Sequence, residues 1–399
     1  MVGLRILHMI PGFFPITKGG AEIFALNLCK KLLDKGHKVV LLTRNLKLPQ
    51  KAQFQGIQIR RFKNILPYKI KYYGFGRFLK SKYLRILVAI FDLFAAIPII
   101  WKLQRQNPFQ IIHASFILPF GLAGLVIKKF LNIALIITMH GPADFYEVPS
   151  LFNPVLRIVL NHADAVVTVS PKLKKDLINR LGNLPIKVIN NGVSLIPFKN
   201  TVKQELLNQY KIAPNDFVIL TAGRLVQRKN LDKLIRAFPK ILEKIPQGKL
   251  VILGSGIEKL NLQNLVRKLQ LESLVIMPGW VFEEKKIEFF KRADIFIQLS
   301  EIEGLSLALL ESKAAGIPAI IVGSDIPLAS VLNEVTGLLI QPPITIEKII
   351  KNIEYLYSKP DLCRKIGYNV IREVEKKYSL EQMVENYIQL YREILRKIR

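Results

Sequence analysis

The sequence predicts an α/β protein built from two doubly wound parallel sheets, one in each half of the chain. Its 399 residues suit two domains of about 150–200 residues each. In both halves, short apolar runs alternate with glycine-containing loops and longer amphipathic runs, which is the strand, loop and helix order of a parallel sheet. We therefore expect a first domain over residues 1–195, a second over 196–378 and a terminal helix over 379–399.

The first domain opens with an apolar strand, Leu4–Ile10, and a loop that leads into a helix over Ala21–Lys35. Gly19 and Gly20 stand where that helix begins, and glycine lets the backbone approach a ligand closely. The next strand, Val39–Thr43, completes the start of a parallel sheet. A plain tight turn explains paired glycines about as well as a ligand does, so both interpretations stay open on these residues alone.

His140 is the candidate for function among the five histidines. It follows the apolar strand Leu135–Thr138, and open parallel sheets bind ligands beyond the carboxyl ends of their strands. An isolated histidine is usually structural, so its position is the argument for this one.

Residues 60–105 have an unusual composition. They hold eleven Lys and Arg but a single acid, Asp92. The aromatic residues interleaved with the cations include Tyr68, Tyr72, Tyr73, Phe75, Phe78 and Tyr83. The apolar stretch Ile86–Trp101 follows, and the sequence predicts that it is too short, and too interrupted by Asp92 and Pro98, to span a bilayer. Cations mixed with aromatics favour a segment lying on an anionic membrane surface. The alternative is an ordinary domain helix with a solvated basic face.

Net charge is concentrated in the first half of the chain. Residues 1–200 hold 29 Lys and Arg against 7 Asp and Glu, a net charge of +22, whereas residues 201–399 carry only +7 of the total +29. The first domain is therefore expected to face an anionic partner. A membrane surface and a nucleic acid both fit this charge, but no nucleic-acid-binding module is recognisable, so no nucleic-acid partner is predicted.

The cysteines and the N-terminal residues favour a reducing compartment. Cys29 and Cys363 have neither metal-binding spacing nor the pattern of a disulfide framework. A strand begins almost at once, without the charged start and long apolar core of a signal peptide. We expect a cytoplasmic protein, associated peripherally with the inner face of the membrane.

Two stretches of the second domain carry the strongest chemical signal. After the strand Phe217–Thr221, Gly223 precedes two fixed cations, Arg224 and Lys229, whose spacing suits a phosphate pair. After a second strand, Glu303 and Glu311 bracket a glycine turn and a helix N-terminus. Carboxylates accept hydrogen bonds from sugar hydroxyls, and helix N-termini favour anions. The two stretches together predict a nucleotide-sugar diphosphate site.

These residues carry a resemblance to a known family. The run Gly223-Arg224-Leu225, the Lys five positions after the Arg, and two Glu separated by seven residues resemble the retaining glycosyltransferases of family 4, which have the GT-B fold. The resemblance implies two Rossmann-like domains facing across a cleft, with a C-terminal helix that crosses back to the first domain. Leu305 and Ser306 stand where the family commonly has Phe and Gly, and Ser115 stands where it often has a second His.

The resemblance also implies roles for individual residues. Arg224 and Lys229 would stabilise the leaving diphosphate, and Glu303 would hold hydroxyls of the donor sugar. His140 would hydrogen-bond the transferred sugar or the acceptor. Arg228 is expected to be merely solvated. The donor-binding residues are completed by Glu311 at the ribose and by small or turn residues: Gly19, Gly20, Gly223, Gly254, Gly304, Leu305 and Ser306. Gly254 begins a Gly-Ser-Gly turn that packing explains equally well.

We therefore expect a metal-independent enzyme without a cofactor, moving a hexose-type sugar from a UDP or GDP donor to a lipid-linked or envelope glycan acceptor. The absence of any Asp-x-Asp sequence agrees with metal independence. A soluble transferase acting on a free sugar or sugar phosphate is the alternative. A degenerate module that only tethers a partner at the membrane is a remote one.

Overall fold

A computed structural model describes residues 3–15, 17, 19–45, 48–62, 82–141, 148–198, 204–300, 303–323 and 331–398. The chain divides into two compact units. Unit 1 comprises Met1–Asn191 together with Leu380–Arg399, and unit 2 comprises Gly192–Ser379. The division falls four residues before the junction expected after residue 195.

Unit 1 contains a sheet whose strand order is β3-β4-β2-β1-β5-β6-β7-β8. All neighbouring pairs are parallel except the antiparallel pair β3–β4. The chain fills one side of the sheet from β1 outward and then returns to fill the other side from β5. The strands are β1 (Arg5–Met9), β2 (Lys38–Arg44), β3 (Lys51–Phe54), β4 (Ile57–Phe62), β5 (Ile111–Ser115), β6 (Ala134–Met139), β7 (Ala165–Thr168) and β8 (Ile186–Val188).

The central strands of unit 1 are buried on both faces by helices, so they read as continuous apolar runs. Every residue of β5 and β6 is buried, including the polar side chains of His113, Ser115 and Thr138. The helices that follow these strands are α1 (Gly20–Asp34), α2 (Lys82–Gln106), α3 (Leu122–Phe130), α4 (Asn153–Asn161) and α5 (Pro171–Leu181).

Helix α2 corrects two expectations about residues 60–105. Pro98 does not interrupt it, and the stretch Ile86–Gln106 is long and apolar enough to cross a membrane, a criterion that core helices of soluble proteins also meet. Asp92 is fully buried, and its carboxylate accepts a 2.6 Å hydrogen bond from Arg44 Nε of β2. This buried ion pair fastens α2 to the sheet of unit 1. Residues 63–81, which carry most of the predicted basic-aromatic surface, lie outside the described residues.

The C-terminal helix packs on unit 1, as expected from the resemblance. Helix α13 (Leu380–Ile398) contacts α1 and β6. Tyr387 and Tyr391 are fully buried along it, and Lys31 of α1 forms a 3.1 Å ion pair with Glu381. The last residues of the chain therefore belong to the first unit in space.

Unit 2 contains a second, wholly parallel sheet of strand order β11-β10-β9-β12-β13-β14. The strands are β9 (Phe217–Ala222), β10 (Gly248–Leu253), β11 (Val275–Gly279), β12 (Ile295–Gln298), β13 (Ala319–Val322) and β14 (Gly337–Ile340). Buried apolar clusters cover both of its faces. The helices are α6 (Gln204–Gln209), α7 (Leu231–Lys244), α8 (Lys259–Lys268), α9 (Glu283–Arg292), α10 (Leu307–Ala314), α11 (Ile346–Tyr357) and α12 (Pro360–Lys377).

Candidate functional site

The sheet of unit 2 places the two candidate stretches next to each other. From β9 the chain runs outward through β10 and β11, and it returns to the other side of β9 with β12. The carboxyl ends of the adjacent strands β9 and β12 thus form a topological switch point, where open parallel sheets bind ligands. Arg224 and Lys229 follow β9, and Glu303 follows β12, so both stretches emerge at that point.

Lys229 and Glu303 are in direct contact at the switch point. Lys229 Nζ donates to Glu303 Oε1 at 2.5 Å, and Arg228 Nη1 donates to the same oxygen at 3.2 Å. Only 12% of the Lys229 side chain and 25% of the Glu303 side chain are exposed. Arg228, which we expected to be merely solvated, is therefore a second partner of this carboxylate.

The local backbone presents Lys229 toward β12. Gln227–Lys229 form one tight helical turn, and Asn230 follows in the left-handed region with φ of 50°. Asn230 Nδ2 donates a 2.9 Å hydrogen bond to the carbonyl oxygen of Leu299, just past β12. Asparagine tolerates this conformation better than most residues. Its side-chain hydrogen bond holds the loop after β9 against the end of β12.

The charges around Glu303 keep it ionised. Burial alone would raise the pKa of its carboxyl, but the nearby Lys229 and Arg228 outweigh burial and lower that pKa. Burial also lowers the pKa of the Lys229 ammonium group, and Glu303 opposes that shift. The Glu303 carboxylate thus lies between this lysine and the Arg228 guanidinium. Arg224 adds a third cation that is exposed and, in the part of the chain described, has no carboxylate partner.

Glu311 lies on α10 and pairs with a lysine that the sequence did not indicate. Lys286 Nζ of α9 donates to Glu311 Oε1 at 2.5 Å, and both side chains are mostly buried. Helix α10 begins after Ser306, whose Oγ accepts a 3.3 Å hydrogen bond from the amide of Leu309. Ser306 is therefore an N-cap, and Leu305 beside it is buried.

The Gly-Ser-Gly turn after β10 has a packing explanation. Gly254 has φ of +136°, and a Cβ there would lie 1.8 Å from the carbonyl oxygen of Gly223. A Cβ on Gly256 would lie 2.2 Å from the carbonyl oxygen of Leu225. This turn is thus pressed against the loop that carries Arg224, and glycine is required for that close approach. Gly223 itself has φ of +151° and lies beside the Lys229 side chain.

Unit 1 has its own switch point, between β1 and β5. Gly19 and Gly20 lie in the loop after β1 and at the start of α1. A Cβ on Gly20 would meet nothing within 4 Å, so there is open space beside the first helical residue. A Cβ on Gly19, in contrast, would lie 2.7 Å from Glu22 Oε2 of the same helix.

His140 lies just past the end of β6, at the same edge of the sheet. Its Nε2 is 3.1 Å from Ser115 Oγ, and its ring contacts Phe24 and Phe116, with centroids 4.7 and 5.4 Å apart. Burial, together with the neighbouring His8, lowers the pKa of His140 to about 3. The imidazole is therefore neutral at physiological pH.

The structure thus brings Lys229 and Glu303 together in unit 2, and Glu311 lies on helix α10, which follows Glu303. In unit 1, His140 and the two glycines lie at the switch point between β1 and β5. Sequence reasoning missed Arg228 and Lys286. Adjacency to Lys229 was a signal for Arg228, whereas nothing in the sequence links Lys286 to Glu311 on the next helix.

Two family models match the chain and together span most of both units. The model described as Glycosyltransferase Family 4 matches residues 18–195, and the model described as Glycosyl transferases group 1 matches residues 202–373. The chain therefore belongs to the family-4, or group 1, glycosyltransferases.

Two relatives illustrate the range of the family. The chain is 25% identical over 387 residues to N-acetyl-alpha-D-glucosaminyl L-malate synthase of Bacillus anthracis, covering 95% of each chain. It is 26% identical over 275 residues to alpha-monoglucosyldiacylglycerol synthase of Streptococcus pneumoniae, covering 65% of this chain and 62% of that protein.

Solved structures show the same fold. Sucrose-phosphate synthase from Thermosynechococcus elongatus superimposes with a TM-score of 0.81 at 20% identity, over 99% of this chain and all of that one. Anabaena HepE in complex with UDP-glucose superimposes with a TM-score of 0.74 at 16% identity, over 97% and 99%. The fold is GT-B, and the protein is a glycosyltransferase.

Proposed function

We propose that this glycosyltransferase moves a hexose-type sugar, with retention of configuration, from a nucleoside diphosphate donor bound in unit 2 to a lipid-linked acceptor at a membrane surface. The observation that carries the donor assignment is the Lys229–Glu303 contact at the switch point between β9 and β12. Glycan donors carry both a diphosphate and free hydroxyls. A largely buried cation next to a partly buried carboxylate matches that pair of groups.

The proposed division of roles follows from charge. As the sugar–phosphate bond breaks, negative charge builds on the diphosphate, and fixed cations stabilise that charge more in the transition state than in the ground state. Arg224 and Lys229 supply those cations, and the amides of Gly304 and Leu305 add donors before α10. Glu303 accepts hydrogen bonds from the donor sugar. Because it already holds Lys229, it also keeps that ammonium group in place.

Lys286 gives Glu311 a defined orientation in this proposal. Glu311 Oε1 is occupied by Lys286 at 2.5 Å. The other oxygen of the carboxylate is then oriented to accept from the ribose hydroxyls of the nucleotide. This arrangement is indifferent to the base, and it fits UDP and GDP alike. HepE was solved with UDP-glucose, which supports a uridine donor for this fold.

The attack on the sugar needs no second carboxylate in this scheme. In a front-face reaction the acceptor hydroxyl attacks the anomeric carbon on the side from which the diphosphate leaves. The carbon–oxygen bond to the diphosphate breaks, and a leaving phosphate oxygen takes the proton of the acceptor hydroxyl. His140 hydrogen-bonds the transferred sugar or the acceptor. Within the described residues, no group of three or more His, Cys, Asp and Glu side chains could hold a metal ion.

The acceptor proposal rests on the exposed side of helix α2. Leu87, Ile90 and Phe94 recur at a spacing of three and four residues and are 44%, 41% and 66% exposed. They form one apolar stripe, while the opposite side of the helix packs on unit 1 through Asp92 and its neighbours. Near the end of α2, the guanidinium of Arg105 lies 5.5 Å from the centre of the Trp101 ring.

This combination favours a lipid surface over a protein partner. An exposed apolar stripe beside aromatic and cationic residues is typical of a helix lying in a membrane interface, and the first 200 residues carry +22. The ion pair to β2 keeps α2 on the sheet, so we propose peripheral association. The S. pneumoniae relative, whose name gives a glucosylated diacylglycerol as its product, supports a lipid acceptor.

Vesicle flotation tests the membrane part of the proposal. The full chain is expected to float with vesicles that contain anionic phosphatidylglycerol, and to bind at least tenfold less to pure phosphatidylcholine, because about 1 kcal/mol per basic residue near the surface is lost. The triple variant Leu87→Ser/Ile90→Ser/Phe94→Ser is expected to stay at the bottom of the gradient, because the apolar stripe is gone.

The control is Leu260→Ser, which removes a leucine that is 70% exposed from α8 of unit 2. This variant should float like the unmodified protein. Wild-type protein that fails to float with anionic vesicles would contradict the membrane proposal and favour a soluble transferase acting on a free sugar or sugar phosphate.

A further inference from the structure

A hydroxyl in unit 1 joins two histidines from different strands. Ser115 Oγ, at the end of β5, is 3.2 Å from His8 Nε2 of β1 and 3.1 Å from His140 Nε2 past β6. His8 and Ser115 are fully buried. The three side chains form a chain of hydrogen bonds that runs from the core of the sheet to its ligand-binding edge.

Proton counting restricts how this chain can be built. Each neutral imidazole carries one N–H, and a serine hydroxyl has a single proton to donate. Either His8 donates to Ser115 and Ser115 donates to His140, or the whole chain runs in the opposite direction. If both histidines donated to Ser115, its own proton would have no acceptor among the partners described.

The second nitrogen of His8 distinguishes the two directions. His8 Nδ1 is buried and has no hydrogen-bond partner among the described residues. If Ser115 donated to His8, the proton of His8 would sit on Nδ1 as an unpaired buried N–H. If His8 donates to Ser115, Nδ1 is instead an unpaired acceptor. Orphaned buried N–H groups are the rarer of the two in folded proteins, so the first direction is favoured.

His113, which is also fully buried, takes no part in this chain. His113 Nδ1 lies 2.7 Å from the hydroxyl of Tyr391, and its Nε2 lies 2.8 Å from Thr138 Oγ1. Both nitrogens are therefore occupied by other partners. Burial lowers the pKa of His8 to about 3, so like His140 it is neutral at physiological pH and carries a single proton.

We propose that His8 and Ser115 are positioning residues that hold His140 in the tautomer protonated on Nδ1. His8 donates through Nε2 to Ser115, and Ser115 donates to Nε2 of His140. The Nδ1–H of His140 is then available as a hydrogen-bond donor to a sugar oxygen in every catalytic cycle. The imidazole does not have to change tautomer before the sugar binds. This last step rests on the proposed function, whereas the tautomer itself is a property of the free protein.

Nitrogen NMR of the full chain labelled with ¹⁵N-histidine tests the tautomer directly. Protonated and bare imidazole nitrogens have well-separated chemical shifts, and His140→Gln and His8→Gln assign the two rings. We expect His140 to show a protonated Nδ1 and a bare Nε2 at pH 7.5, and His8 to show the reverse. A protonated Nε2 on His140, or rapid exchange between its two forms, would overturn the proposal.

Variants at the two positioning residues separate this role from a merely structural one. Ser115→Ala removes the donor to His140, so the Nδ1–H form should be lost and kcat/KM should fall about tenfold, the equivalent of one hydrogen bond. Ser115→Thr retains a hydroxyl and should restore both readouts. His8→Gln keeps an N–H at the ε position and His8→Phe does not, so only His8→Phe should change the His140 tautomer.

The two kinds of failure are distinguishable. An inactive preparation with His140 in the Nδ1–H form would contradict the proposed transferase reaction and leave the positioning role intact. An active protein in which Ser115→Ala keeps the Nδ1–H tautomer would overturn the positioning role alone.

Discussion

Replacement of Lys229 by methionine is expected to lower kcat by about 10²–10³-fold. Removing one group that stabilises developing charge in an enclosed site has an effect of this size. Methionine retains the length and most of the volume of the lysine side chain, and Arg228 remains 3.2 Å from Glu303 Oε1. Glu303 therefore keeps a cationic partner, and the variant should fold. The measurement is release of UDP or GDP from a panel of UDP- and GDP-sugars.

Lys244→Met provides the matched control. Lys244 is an exposed lysine at the end of α7, the helix that follows the Lys229 loop, and its loss should leave kcat unchanged. The reaction should also continue at an unchanged rate in EDTA, because the cations occupy the place of a metal in the proposal. A Lys229→Met protein with more than half of the wild-type kcat would contradict the role given to this lysine.

Acidification is expected to destabilise unit 1 strongly. His8 and His113 are fully buried. Burial lowers the pKa of His8 to about 3, and burial with the neighbouring His8 and His140 lowers that of His113 well below its usual 6.5. In the unfolded chain both histidines titrate near pH 6.5. Below that pH the unfolded state therefore binds more protons than the native state does.

The sign follows directly. The free energy of unfolding should be fully retained above pH 6.5 and should fall by about 1.4 kcal/mol per pH unit for each of these two histidines as the pH drops below it. The fall should continue toward pH 3, where His8 itself is protonated. His140, whose pKa is also lowered to about 3, should add to this fall.

Each unit contains one tryptophan, Trp101 in unit 1 and Trp280 in unit 2, so the effect can be assigned. Urea unfolding of Trp280→Phe at pH 7.5 and 5.0, followed by Trp101 fluorescence, measures unit 1. His8→Phe should reduce the pH dependence of the free energy of unfolding by the contribution of one histidine, about 1.4 kcal/mol per pH unit. His162 is exposed, and His162→Gln should leave the pH dependence unchanged. Equal stability of unit 1 at the two pH values would contradict the buried neutral state of these histidines.

Much of the fold could be predicted because parallel strands are buried on both faces. The strand Phe217–Ala222 is one residue longer than expected at its C-terminal end, and Lys38–Arg44 is one residue longer than expected at each end. Gly20–Asp34 is likewise shifted by one residue from the expected helix. In these elements local apolar runs and glycine stops agree with the tertiary structure.

The elements that were missed lack that agreement. The hairpin partner Lys51–Phe54 alternates between exposed and partly buried residues at the edge of the sheet, so it has no apolar run. The apolar stretch of helix α2 was expected to be too short, and too interrupted by Asp92 and Pro98, to span a bilayer. Arg44, nearly fifty residues earlier, pairs with Asp92, and Pro98 lies on the exposed side of the helix. Neither compensation can be read from the local sequence.

In the candidate site, too, some features could be predicted from the sequence and others could not. The residue types and spacings around Lys229 and Glu303 predicted a donor site, and strand order brings them together. The contacts of Lys286 with Glu311 and of His8 with Ser115 depend on which helices and strands are neighbours. Such contacts follow from sheet topology, and sequence spacing alone does not contain them.

The most direct test of the donor site is thermal unfolding of the full chain with UDP, GDP and ADP in turn. A ligand at one hundred times its dissociation constant stabilises the native state by about 2.7 kcal/mol, which raises the unfolding midpoint. We predict that UDP or GDP raises the midpoint, and that Lys229→Met and Glu311→Ala abolish the rise while Lys244→Met retains it. No shift with any of the three nucleotides, or an equal shift in Lys229→Met and Glu311→Ala, would contradict a donor site between β9 and β12.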